Sequence, residues 1–285
     1  MLALRSADCT ASAGLLGDNK DRDYSVKLRG FNSFAEPEIR ALIRSLDLQP
    51  GMHVLDAGCG SGEALSWLSS EVKSSGRVVG IDIAAAHVAA ARSHASPTIQ
   101  IHQSDLFDAA MAPASFDLVW CVNTIHHLAN PVDGVNHLAK FLRPGGRLAL
   151  GQSSLLPDMY FAWDARLERV TNEAVRHYYR DRYRLEEQDI ASVRAIVGTL
   201  HRANLRNMTV RTIVIERLAA MDMATESYLK DTIFRDTWGT RLRPYLSEED
   251  YAELSRLCDP QHSQFALRRP DFHFLQSFTL AVAQV

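Results

Sequence analysis

Asp56-Ala57-Gly58-Cys59-Gly60-Ser61-Gly62, reached directly from the apolar run His53-Val54-Leu55, decides how this chain is built. The run has the composition of a buried strand. Three glycines at alternate positions then let the backbone turn sharply, with no side chain between it and a ligand. A helix is expected from Glu63 to about Val72, so its free N–H groups aim at the same turn. A dinucleotide fingerprint, Gly-x-Gly-x-x-Gly, puts its third glycine at position 63, and that position is Glu63. Here the third glycine falls one residue early. The loop therefore speaks for a nucleotide-like ligand that is not a dinucleotide, and for an α/β fold.

The rest of a nucleotide site follows in order. Arg77-Val78-Val79-Gly80-Ile81-Asp82-Ile83 is a short apolar run ending in a carboxylate. An acid at the tip of a parallel strand suits a residue that accepts from both ribose hydroxyls. Ile99 to Gln103 reads as a third strand, ending at Ser104-Asp105-Leu106, where an acid and an apolar residue can accept from an adenine amino group and pack on its ring. Phe116-Asp117-Leu118-Val119-Trp120-Cys121-Val122 forms a fourth strand and opens into Asn123-Thr124-Ile125-His126-His127-Leu128. Leu142-Arg143-Pro144-Gly145-Gly146-Arg147 reads as a helix stop and turn before the strand Leu148-Ala149-Leu150.

With these five signals in sequence, the stretch from about His53 to Gly151 resembles the cofactor-binding core of class I methyltransferases that use S-adenosylmethionine (SAM). It is most similar to the small-molecule branch that includes the ubiquinone and menaquinone biosynthesis enzymes. The resemblance covers about a third of the chain closely. It implies an α/β fold, a Rossmann-like seven-stranded sheet with helical cap additions, and SAM as cofactor. Carried over position by position, Asp56, Gly58, Cys59, Gly60 and Gly62 form the methionine-side loop. Asp82 with Ile83 holds the ribose, Asp105 with Leu106 the adenine, and Asn123 meets the methionine amino group through its backbone carbonyl. Plainer readings stand beside these. Asp82 could cap the next helix (Ala84 to Arg92), Asp105 could end a strand, and Cys59 could be only a small residue between glycines.

The chain has 285 residues and a net charge of −3, which gives no electrostatic case for a nucleic-acid partner. Cys9, Cys59, Cys121 and Cys258 lie far apart with no paired pattern, as free thiols of a reducing compartment do. Arg5 and Asp8 interrupt the first residues before a signal-length apolar segment develops. No apolar run approaches the ~20 residues of a membrane span. The expectation is a cytoplasmic protein with no membrane partner, its oligomeric state left open.

Four regions are expected: an N-terminal lid and helix (1–50), a SAM-binding core (51–154), a helical cap insertion (155–206), and the sixth and seventh strands with a helical insertion between them (207–285). Residues up to about Asp18 read as loose. From Asn32 a helix is signalled by the capping box Ser33/Glu36 and by Phe34, Ile39, Leu42, Ile43 and Leu46 at helical spacing. Ahead of it, Tyr24 is a candidate for a lid over the cofactor, as N-terminal segments of related methyltransferases provide, or an ordinary packed tyrosine. Met159 to Tyr183 reads as one long helix and Asp189 to Ala203 as a second. Met208 to Glu216 and Phe272 to Val282 read as the last two strands, the latter inserting antiparallel beside the fifth. About 55 residues separate those two strands, too many for a structureless loop. Both long additions are therefore expected to be helical and to cover the substrate at the carboxyl edge of the sheet.

Methyl transfer is an in-line displacement, so the enzyme orients a nucleophile, excludes water and, where needed, takes a proton. His127 is the candidate base and His126 a structural neighbour. No Asp-Asp-Asn-type metal set follows the fourth strand, so no metal is expected. Tyr160, Tyr178, Tyr179 and Tyr183 are candidate lining for a substrate pocket, with an arginine for an anionic group. The alternative is an amphipathic helix with solvated arginines. The leading reading is a methyltransferase acting on oxygen, nitrogen or carbon of a small-molecule acceptor in secondary or quinone-like metabolism. Two others compete: an RNA or DNA methyltransferase, for which the Pro-Pro pair after Asn123 and a basic stripe are missing, and a SAM-binding protein without turnover.

Overall fold

The computed structural model describes residues 20–154, 160–161, 164–184 and 195–285. Helix α1 spans Ser25–Arg44, followed by β1 His53–Ala57, α2 Glu63–Val72, β2 Arg77–Asp82, α3 Ala85–His94, β3 Gln100–Gln103 and β4 Phe116–Val122. A 3-10 turn, Ile125–His127, leads to α4 Pro131–Ala139 and β5 Leu142–Ser153. Then come a two-residue strand β6 (Tyr160–Phe161), α5 Ala165–Tyr183, α6 Ile196–Arg202 and β7 Arg206–Leu218. Next, α7 Met223–Ser227 runs into a π-helical segment, Tyr228–Trp238, and a 3-10 segment, Thr240–Tyr245. Helix α8 (Glu248–Cys258) and β8 (His273–Gln284) complete the chain.

Strands β3, β2, β1, β4 and β5 are parallel neighbours in that order. Strand β8 enters antiparallel, pairing β5 from Arg147↔Gln284 to Ser153↔Phe278. Its other edge is taken along its whole length by β7, so β6, paired through Tyr160↔Leu275, must continue the line of β5. Seven long strands with the last one antiparallel inside the edge is the arrangement expected from sequence, and the fold is the Rossmann-like class I methyltransferase sheet.

Core strands are apolar almost throughout because helices cover both faces. One face buries Phe31, Phe34 and Ile39 of α1, Leu65 and Leu68 of α2, and Tyr228, Ile233 and Phe234 of the π-helical segment. The other packs β strands against α4 and α6 through Val135, Leu138, Ile196 and Leu200. Among the described residues no helix is long and apolar enough to cross a membrane.

Helix α1 begins at Ser25, not Asn32. Asp23 Oδ1 accepts from the Ser25 amide at 2.9 Å and its hydroxyl at 2.8 Å, starting the helix about two turns earlier. Ser33 thus sits in the helix interior, and Glu36 pairs with Arg40 at 2.9 Å instead of closing a capping box. The long helix expected from Met159 starts at Ala165, because Asp164 caps it through the Leu167 amide at 2.7 Å and Tyr160–Phe161 pairs with β8. Met159 and the start of the second helix, 189–194, lie outside the described residues, as do Cys9 and the N-terminal tail expected to be loose. The Leu142–Arg147 turn is absorbed into β5 as an irregularity opposite β4. Ser247 does open a helix, accepting from the Asp250 amide at 3.1 Å.

Candidate functional site

Strand β1 lies between β2 and β4, so chains leaving β1 and β4 diverge to opposite faces and open a crevice at their carboxyl ends. The glycine loop fills the floor of that crevice. Gly60 has φ +52, and a Cβ there would come within 2.9 Å of Leu28 on α1, which packs down on the loop. At Gly62 (φ +91) a Cβ would lie 2.7 Å from the Ala91 side chain, so this glycine lets α3 approach the start of α2.

Asp82 organises the tip of β2. Its Oδ2 accepts from the Gly60 amide at 2.8 Å, and Oδ1 accepts from the Ala84 amide at 2.9 Å. It therefore shapes the glycine loop and holds the turn that leads into α3, where the sequence offered ribose binding and capping of the next helix as alternatives. His87, buried on α3, brings Nδ1 to 3.2 Å from Asp82 Oδ1 and takes the Tyr24 amide on Nε2 at 3.3 Å. The Tyr24 ring stands edge-on to the imidazole at 4.5 Å, and the Lys20 carbonyl accepts from the Ala85 amide at 3.0 Å. The segment ahead of α1 is thus docked against the acid at the tip of β2. His87 escaped the sequence reading. Its only signal is its place in the first turn of the helix after Asp82, where an imidazole can reach back to the strand tip.

Asp56 is buried at the end of β1, and among the described residues its Oδ2 has no hydrogen-bond partner. Burial, then the nearby Asp82 and Glu63 carboxylates, push its pKa up to about 8. An orphaned, reluctant carboxylate beside a glycine loop suits a ligand that brings a cation and hydrogen-bond donors. Cys59 is buried too, and burial with the Asp56 and Asp82 charges raises its thiol well above the usual value, leaving it inert. Glu63 ties α1 to the loop, accepting from Asn32 Nδ2 at 2.6 Å and from the Ser61 hydroxyl at 2.7 Å.

At the tip of β4, Asn123 adopts φ +51. Its Oδ1 accepts from the Ser153 amide at 2.8 Å, the Ser153 hydroxyl at 3.0 Å and Gln152 Nε2 at 3.1 Å. The side-chain oxygen is thus committed to β5, and the Asn123 amide donates to the Gly151 carbonyl at 2.9 Å. The half-buried His127 follows on the 3-10 turn, its ring 4.0 Å from that of His126. Beyond β3, Asp105 Oδ1 accepts from the Phe107 amide at 2.8 Å, closing a local turn beside the buried Leu106. The Ile83 carbonyl is taken by Gln103 Nε2 at 3.2 Å.

Helix α5 packs on the 228–245 segments. Tyr178, Tyr179 and Tyr183 form a row, with ring centroids 5.5 Å and 5.4 Å apart in succession. Arg22 Nη2 donates to the Tyr183 hydroxyl at 3.5 Å, so the row meets the docked segment carrying Tyr24. The Tyr160 side chain lies outside the described ones.

A family model described as a methyltransferase domain matches residues 54–146. The chain is 33% identical over 117 residues to 27-O-demethylrifamycin SV methyltransferase of Amycolatopsis mediterranei, covering 39% of this chain and 42% of that protein. It is 32% identical over 141 residues to the ubiquinone biosynthesis O-methyltransferase of Xanthomonas campestris pv. campestris, covering 46% and 56%. The match spans less than two thirds of either relative's length. In fold the chain is similar to a protein from Bacillus halodurans C-125, with TM-score 0.53 and 18% identity over 87% of this chain and 98% of that one. A phosphoethanolamine N-methyltransferase from Haemonchus contortus is similar in fold as well, with TM-score 0.51 and 14% identity over 92% and 57%.

Proposed function

We propose that the chain, whose residues 54–146 match a methyltransferase domain, methylates a small-molecule acceptor using SAM. The observation that carries the reading is the convergence of four features at one crevice: the glycine loop, the Asp82 carboxylate, the orphaned Asp56 oxygen and the positive-φ turn at Asn123. These fit the cofactor group by group. Asp56 and the Asn123 carbonyl complement an ammonium, and Asp82, whose oxygens keep lone pairs beyond those given to Gly60, Ala84 and His87, complements ribose hydroxyls. Asp105 and Leu106 serve the adenine, as hydrogen-bond acceptor and apolar wall.

When bound, the sulfonium supplies an activated methyl group and its own leaving group. The chain has to hold the acceptor in line, keep water out and take a proton if the acceptor bears one. We assign the proton to His127 on the turn after Asn123. We assign water exclusion to the docked Tyr24 segment, and acceptor contact to Tyr178, Tyr179 and Tyr183, with Tyr160 belonging to the same pocket. The relatives are named for O-methylation of rifamycin-type and quinone-type molecules, which makes an acceptor hydroxyl the first to test. The net charge of −3 argues against a nucleic-acid acceptor.

Incubating the protein with SAM and a panel of phenols and hydroxylated polyketides should release S-adenosylhomocysteine with at least one of them, and His127→Ala should lower turnover without lowering SAM affinity. Calorimetry showing no SAM binding would sink the proposal. SAM binding with no turnover on any acceptor class, nucleic acids included, would favour a sensor role instead.

A further inference from the structure

We propose that the outer edge of β7 is an interface for a second copy of this chain, joined antiparallel so that two sheets become one. The inference stands apart from the methyltransferase reading.

Strand β7 ends the sheet: among the described residues it pairs with β8 alone. Its stretch Thr209-Val210-Arg211-Thr212-Ile213-Val214-Ile215 holds six β-branched residues, a single charge and neither proline nor glycine. That composition favours further strand pairing. Thr209, Val210, Arg211 and Thr212 are all exposed. Successive strand residues point to opposite faces, so among the described residues no layer covers either face of this stretch. Val210, Val214 and Leu218, four positions apart and therefore on one face, are 48%, 54% and 58% exposed. The opposite face anchors the strand, with Ile215 buried in the core and Arg217 bound to Glu38 of α1 at 2.7 Å. Edges that stay unpaired are blunted by shortness, proline, bulges or inward-pointing charge. Strand β7 has 13 residues, and the irregularity in its ladder with β8 falls between Arg206 and Thr209. From Thr209 to Leu218 the ladder is unbroken, which leaves a long regular edge.

Charge selects the occupant and its register. In an antiparallel pair with a two-fold axis at Thr212, Val210 meets Val214 of the second copy, Thr209 meets Ile215, and Arg211 meets Ile213. Moving the axis to Arg211 would set two guanidiniums directly opposite each other, which is destabilising. With the axis at Thr212, every pair except that of Arg211 is β-branched on both sides. The strand is thus its own complement, as an isologous contact requires. Area sets the strength. About seven paired residues a side fall well short of the ~20–30 of a standard interface, so the dimer belongs with weak, reversible contacts that bury less than about 1,200 Å².

Sedimentation velocity of the chain from roughly 5 to 500 μM should show a reversible monomer–dimer equilibrium. Val210→Lys and Val214→Lys, at exposed positions, should each weaken dimerisation tenfold or more with melting unchanged. A short bismaleimide should cross-link Thr212→Cys well above the wild-type background, because the axis sets the two cysteines side by side. Val210→Cys should cross-link at least severalfold more slowly, its two copies lying ~13 Å apart along the strands. A monomer across the whole concentration range overturns the proposal. So does a dimer that survives both lysine variants, or one that cross-links Val210→Cys as fast as Thr212→Cys, since the contact would then lie elsewhere or in another register. Slow amide exchange along the outer edge of β7 at concentrations where the protein is a monomer would mean that the chain covers its own edge, and overturns it too.

Discussion

His87 Nδ1 lies 3.2 Å from Asp82 Oδ1, and the other nitrogen of the same ring accepts the Tyr24 amide. Because a backbone N–H can only donate, Nε2 is the acceptor and the ring proton sits on Nδ1, directed at the carboxylate. One buried imidazole thus links the acid at the tip of β2 to the segment that precedes α1. A change at Asp82 can be felt by the segment around Tyr24, and the reverse.

Replacing His87 with Phe keeps an aromatic edge for Tyr24 and deletes both hydrogen bonds. Stability should fall by about 1–3 kcal/mol, the cost of unmaking buried polar contacts. Amide exchange in residues 20–28 should quicken more than in β1. Unchanged exchange there would mean that the segment is held by Lys20 and Tyr24 packing alone.

Removing the carboxylate in Asp82→Ala deletes charge-assisted hydrogen bonds worth about 1.5–3 kcal/mol each, so SAM affinity should drop at least roughly tenfold. Asp82→Asn keeps one acceptor for the Gly60 amide and should lose less. Calorimetry that ranks the two variants equally would separate ribose recognition from loop shaping.

Asp56 carries a pH signature. Its carboxyl is raised to about 8 in the fold, against about 3.9 in an unfolded chain. The folded state therefore binds the extra proton between those values. This contribution to stability is full below about pH 4 and is lost as pH rises through about 8. Asp56→Asn should flatten that part of the stability profile, read from urea melts at several pH values. An ammonium beside Asp56 would favour its ionised form, so SAM binding at pH 7 should release protons. Calorimetry in buffers of different ionisation enthalpy measures this, and zero net release would remove Asp56 from the ammonium site.

Phe34 joins three layers. Its ring stacks on Tyr228 at 4.3 Å and meets Phe274 edge-on at 5.6 Å, while Arg217 lies over it at 4.8 Å and binds Glu38. Phe34→Ala should cost about 3–5 kcal/mol, since the cavity lies between α1, the π-helical segment and β8 and cannot close without moving all three. A loss below about 1 kcal/mol in denaturant melts would mean that α1 is not locked to the insertion.

Much of the sheet was legible because its signals are local. Apolar runs of strand length, alternating glycines and acids at strand tips are set by residues within a few positions of one another, and β4 and α2 fall where the sequence put them. Helix α1 was placed late because Ser33 and Glu36 imitate a capping box, while the operative cap is the less conspicuous Asp23. Tyr160–Phe161 matched a helix by composition, yet pairing with Leu275 and Phe274 makes it a strand, a preference that only a distant partner can impose.

By itself the sequence determined the doubly covered sheet, the crevice and the order of the candidate site residues along it, since each follows from short-range patterning and chain connectivity. Tertiary structure alone decided that Asp82 reaches Gly60, that His87 carries its link to Tyr24, and that Asn123 turns its side-chain oxygen into β5. It also brought Arg22 and Arg241 to one row of tyrosines. The reason is range. Backbone preference and hydrophobic period act over a few residues, whereas hydrogen-bond direction and charge proximity depend on where segments tens of positions apart or more come to rest against a common core.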